Sequence, residues 1–114
     1  MIAKENRLKK RKEIEEVKRK GKLFQSENFG VSVINRNNDN PTRFAFVISS
    51  KISGLAVNRN RIRRACAGTI RRNLKIIPRG YDFVFLAKKS LANKMVDEII
   101  KETETFLLKG DFKS

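Results

Sequence analysis

Val57-Asn58-Arg59-Asn60-Arg61-Ile62-Arg63-Arg64-Ala65-Cys66-Ala67-Gly68-Thr69-Ile70-Arg71-Arg72-Asn73-Leu74 is the stretch on which the fold turns. Ile62, Ala65, Cys66, Thr69, Ile70 and Leu74 recur at the spacing of one helix face, so a helix is expected over residues 57–74. Upstream, Phe29, Val31 and Val33 alternate with Gly30 and Ser32, the pattern of a half-buried strand. The polar run Asn35 to Pro41 reads as a turn before a second strand over Arg43 to Ser49, and the two strands as a hairpin. Leu23 to Ser26 adds a short strand ahead of them. Downstream, Pro78 and Gly80 punctuate the chain, and the unbroken apolar run in Asp82 to Ala87 fits a central strand covered on both faces. A first helix is expected over residues 7–20, stopped by Gly21, with a thin stripe of Ile14 and Val17. Ser90 fits the N-cap of a last helix whose Leu91, Met95, Ile99 and Ala92, Val96, Ile100, Thr103, Leu107 form the strongest amphipathic pattern in the chain. Helix, strands, basic helix, strand, helix is the order of an α+β sandwich, with helices on a mostly antiparallel sheet of roughly four strands.

The chain has 114 residues and a mass of 13.2 kDa, enough for one core, so residues 1–114 are read as a single domain. Lys and Arg total 27 against 12 Asp and Glu, a net charge of +15. Such an excess repels itself unless a polyanion answers it, and nucleic acid is the expected partner. Histidine is absent, which removes imidazole acid–base catalysis, Ser-His and Cys-His nucleophiles and His-bearing zinc sites. Cys66 is the lone cysteine, so neither an intrachain disulfide nor a thiolate zinc cluster is expected. The longest apolar runs, Phe44 to Ile48 and Phe83 to Ala87, are too short for a membrane span, and a cytoplasmic protein without membrane contact is expected.

Charge is segregated. Residues 1–22 hold ten Lys or Arg and four Glu, residues 51–75 hold eight and no acid, and residues 90–114 are nearly balanced. On a helix, Arg61, Arg64, Arg71 and Arg72 fall within an arc of about 100°, opposite the apolar stripe, while Arg59 and Arg63 lie nearer the seam. Arginine binds phosphate through a planar fork and stacks on unpaired bases, so this face suits structured RNA. Gly68 interrupts it at a cost of about 1 kcal/mol relative to Ala, with close approach of an RNA backbone or internal packing as alternative reasons.

Other candidates carry blander readings. Cys66 lies on the apolar side and fits a small core residue. Asp97, Glu98, Glu102 and Glu104 alternate with lysines and read as a solvated face rather than a metal site. Asn37 to Asn40 reads as turn chemistry, and the pairs Phe44 with Phe46 and Phe83 with Phe85 as core.

The run from Ser50 to Arg64, with Lys51 leading through a short loop into Arg59-Asn60-Arg61, resembles the signature of the bacterial ribonuclease P protein family. Arg7-Leu8 with Lys9, Val17 with Gly21, Tyr81-Asp82 and Ala87-Lys88 extend the resemblance from about Asn6 to Phe106. It implies a sheet crossed by a left-handed βαβ connection. It also implies that Lys51, Arg59, Asn60, Arg61, Arg63 and Arg64, with Arg71 and Arg72 beyond them, dock on the ribonuclease P RNA. A cleft between the first helix and the sheet would hold the 5′ leader of precursor tRNA. There Ile14, Lys18 and Ser32 stand where the family usually carries aromatics, and Arg11, Lys18 and Arg43 are the candidates for leader phosphates. The RNA would cut, using Mg2+ held mainly by RNA, and the protein, a monomer by itself, would supply no catalytic residue and bind no metal alone. The alternative is a non-enzymatic RNA-binding protein of ribosomal type, using the same patch as architecture.

Overall fold

The structure, a computed structural model, describes residues 2–113. Helix α1 (Arg11–Lys20) is followed by strands β1 (Lys22–Gln25), β2 (Phe29–Asn35) and β3 (Arg43–Val47), then by α2 (Ala56–Arg72), β4 (Tyr81–Ala87) and α3 (Val96–Lys109). Short 3-10 turns at Lys4–Asn6, Leu74–Ile76, Lys89–Asn93 and Asp111–Lys113 link or end these elements. The α+β reading holds.

One sheet is built in the order β1-β2-β4-β3. The hairpin expected between the strands at Phe29 and Arg43 does not form. β2 pairs antiparallel with β1 and with β4, whereas among the strands β3 pairs with β4, in parallel, and takes one isolated bridge from Arg7 on its other side. The physical reason lies in β4, whose Tyr81 to Phe85 are all buried, so this strand takes the centre and separates β2 from β3. β3 and β4 are joined through α2, a βαβ connection, as the resemblance implied.

Strand parity sends the aromatic residues to one face. Phe29, Val31, Val33, Phe44, Phe83 and Phe85 meet Ile62, Cys66 and Ile70 of α2 and Ile99 and Leu107 of α3. Phe44 packs edge-on to Phe83 at 5.2 Å, and Phe112 closes the end of this core 4.9 Å from Phe83. The opposite face is thinner. There α1 lays Val17 on Ala45 and Val84, with Leu8 buried beside them and Ile14, Ile34, Val47 and Leu86 partly covered.

Both outer helices start later than their periodicity suggests. Arg7 and Leu8 meet β3 at Phe44, with the Leu8 amide donating to the Phe44 carbonyl, and Lys10 is extended, so α1 begins at Arg11. Ser90 is exposed inside a 3-10 turn rather than at an N-cap. α3 starts at Val96, where the Glu98 carboxylate accepts from the Met95 amide at 2.9 Å. Gly110, at φ 66°, ends it in the left-handed conformation that a side chain disfavours.

Candidate nucleic-acid interface

α2 has no acid along its length and buries Ile62, Ala65, Cys66, Thr69 and Ile70 against the sheet and α3. The arginines are thereby left on its outer side, with Arg64, Arg71 and Arg72 exposed and Arg59, Arg61 and Arg63 half-buried. Among the described residues the ion pairs join Lys18 to Glu15, Arg36 and Arg43 to Asp82, Arg43 to Glu13, Arg79 to Asp39 and Lys109 to Asp111. None reaches α2.

What the α2 guanidiniums do contact is neutral. Arg59 donates to the Ser53 carbonyl at 2.7 Å, bracing the loop that carries exposed Lys51. Arg63 donates to Asn60 Oδ1 at 3.1 Å, and Arg72 to Thr69 Oγ1 at 3.4 Å. Arg61 is the most engaged: its fork meets Asn58 Oδ1 at 2.7 Å and the carbonyls of Lys94 and Ala92 at 2.9 and 3.3 Å. It ties α2 to the turn before α3 while its charge stays uncompensated. Gly68 is not forced by internal packing, since an added Cβ would meet only the Arg72 guanidinium, at 3.4 Å.

The structure divides the set that the sequence assigns to the helix and the loop leading into it. Arg61, Arg64 and Arg72, with Asn60, line one groove between α2 and α3, whereas Lys51, Arg59, Arg63 and Arg71 lie outside it.

The region between α1 and the sheet differs from its sequence reading in two respects. Ser32 is 1% exposed and its hydroxyl donates to the Val17 carbonyl at 2.6 Å, so it fastens the end of α1 to β2 and presents nothing to a ligand. Gly21 permits this contact, because a Cβ there would strike Ser32 Oγ. Arg43 is likewise occupied, forking onto Asp82 at 2.9 and 2.8 Å and reaching Glu13 at 3.4 Å. The hydrogen bonds to Asp82 hold its guanidinium more firmly protonated than usual. Ile14 belongs to the thin core, which leaves Arg11 and Lys18 as the exposed cations of this set, Lys18 in a loose pair with Glu15.

Two polar clusters escaped sequence reasoning. Asp82 is buried and gathers Arg36 as well as Arg43, with Arg36 Nε 3.1 Å from Oδ1. Glu102, expected on a solvated face, accepts from Ser26 Oγ at 2.5 Å and from the Asn28 amide and side chain at 2.8 and 2.7 Å, locking α3 to the β1–β2 turn. The one available signal was Ser26 and Asn28 bracketing that turn. Cys66 is buried as expected, and desolvation raises its pKa to about 11. Among the described residues, no group of three or more acidic or thiol side chains could hold a metal, and no helix is long and apolar enough to cross a membrane.

The family model for ribonuclease P matches residues 2–110. Among curated relatives, the ribonuclease P protein component of Clostridium botulinum strain Loch Maree is 38% identical over 97 residues, covering 84% of this chain and 86% of its own. That of Rippkaea orientalis is 31% identical over 113 residues, covering 96% of this chain and 89% of its own. In fold, the chain is similar to the Staphylococcus aureus RNase P protein, with a TM-score of 0.85 at 23% identity over 96% of this chain and 98% of that one.

Proposed function

The chain belongs to the ribonuclease P protein family, and from that premise we propose how it divides the work with RNA. It is a protein component of the ribonuclease P holoenzyme, an endoribonuclease that acts in 5′ processing of tRNA as a ribonucleoprotein. α2 is the surface that grips the catalytic RNA. The observation that carries this reading is the arginine row itself: six guanidiniums on an acid-free helix, none of them touching a carboxylate among the described residues. Leaving that many cations uncompensated is costly in a free protein and favourable beside phosphates.

The face beside α1 receives the 5′ leader of precursor tRNA, with Arg11 and Lys18 supplying phosphate contacts. Arg43 and Ser32 serve there as scaffold, since each is already bound within the protein. The catalytic Mg2+ would be held mainly by RNA, and three carboxylates of the protein already have internal tasks: Asp82 with two arginines, Glu102 with a turn and Glu98 with a helix start. The same proposal has the chain joining the RNA as a monomer in the cytoplasm, with Cys66 reduced inside the core.

In mechanism, the protein lowers the repulsion between two polyanions, the RNA subunit and its substrate, and this contribution grows as magnesium and salt fall. The test adds the purified chain to a bacterial ribonuclease P RNA at low magnesium and follows a precursor tRNA. Stimulated cleavage at the 5′ leader junction is expected, with no cutting by the protein alone. Equal affinity for any structured RNA without stimulation would overturn the reading in favour of a ribosomal-type architectural role.

A further inference from the structure

The groove between α2 and α3 has a composition that the arginine row does not account for. Its space is about 530 Å³, within the range of small-ligand sites, and Val57, Val96 and Ile100 supply its apolar lining while Arg61, Arg64 and Arg72 stand around it. Val57 is 80% exposed and Val96 39%, so two β-branched side chains face solvent beside Arg61, Arg64 and Arg72. Neither is needed for the core, which is filled by Ile62, Cys66, Ile70, Ile99 and Leu107. Exposed aliphatic groups inside a cationic rim suit a ligand that is flat and apolar in its middle and anionic at its edge.

An unstacked nucleotide has that character. Its base can lie on the valines and stack on a guanidinium plane, while its flanking phosphates take the remaining arginine donors. A duplex cannot use such a groove, since its bases are enclosed. Asn60 also lines the space and offers an amide to a base edge. No acid lines it.

We propose that this groove receives a single unpaired base of the ribonuclease P RNA, so that α3 takes part in RNA recognition alongside α2. This rests on the family role proposed above, and the test separates the two. The variant Val57→Ser/Val96→Ser removes apolar surface at two solvent-facing positions and leaves every arginine in place; an unchanged melting temperature and the single Val57→Ser variant guard against misfolding. Binding to ribonuclease P RNA should weaken roughly tenfold, with the same dependence on salt because every phosphate keeps its arginine. Base-specific chemical probing should show one unpaired nucleotide protected by the native chain and released by the variant, while the backbone footprint persists. Native-like affinity and base protection in the variant would overturn the inference and leave the family role intact. Loss of self-association of the free chain, with RNA binding unchanged, would assign the groove to a second copy instead. Failure of the native chain to prefer this RNA would remove both.

Discussion

At Asp82 two cations converge on one buried carboxylate, and the arrangement explains why a strand that reads as apolar starts with a charge. Arg43 comes from the neighbouring β3 and Arg36 from the end of β2, so the carboxylate clamps three strands at one edge of the α1 face. Asp82→Asn keeps the shape and removes the charge, leaving Arg43 without its forked partner and Arg36, still held by the Pro41 and Tyr81 carbonyls, without its counter-charge. A loss of about 3 kcal/mol is expected from urea unfolding, the lower end for a broken buried pair because the arginines are partly solvated. Cys66 gives a pH-dependent counterpart. Its pKa rises from 9.0 to about 11 on folding, so between those values the unfolded chain gives up a proton that the native chain keeps, and stability falls as pH rises. Wild type should therefore lose stability relative to Cys66→Ala between pH 9 and 11, and a constant difference across that window would contradict the burial argument. Cys66's place in the core was legible from its helical phase. Those of Ser32 and Asp82 were not, since alternation within one strand does not say what covers each face.

Among the elements, α2 was readable from its periodicity, α3 from the later part of its pattern beginning at Val96, and β4 from its continuous apolar run. Strand order was not. Adjacency in sequence suggests adjacency in the sheet, whereas the pairing of β3 with β4 depends on α2 packing back over the sheet, an interaction between distant residues. The hydroxyl of Ser90 is a misleading start signal for α3, because Glu98 is the group that accepts the first free amide. Glu102 shows what a side chain can do between elements. Its three accepted hydrogen bonds join α3 to the turn of the β1–β2 hairpin, and β1 is an edge strand with a single neighbour. Glu102→Gln turns one acceptor into a donor facing donors, so a loss of about 2 kcal/mol is expected. Hydrogen exchange should quicken in β1 and stay slow in β4. Uniform quickening would mean that Glu102 serves the whole fold rather than one hairpin.

Across the whole molecule, polarity is the organising property. The net charge of +15 was visible in composition, and the concentration of unpaired arginine on α2 followed from a run without acids. What composition could not foretell is that the aliphatic groups of α3 meet that charge in one groove, or that Ser32 and Arg43 on the α1 side are taken up by partners within the protein. The central claim, that the α2 arginines grip the catalytic RNA through phosphates, is tested most directly by the slope of log Kd against log salt for binding to ribonuclease P RNA. Arg59→Ala/Arg63→Ala/Arg64→Ala is the variant to compare, since these arginines make at most one internal hydrogen bond each to a neutral partner. The slope should become shallower by about two to three units, at roughly 0.7 to 0.9 for each of three phosphates no longer neutralised. Parallel lines for native chain and variant would contradict the account.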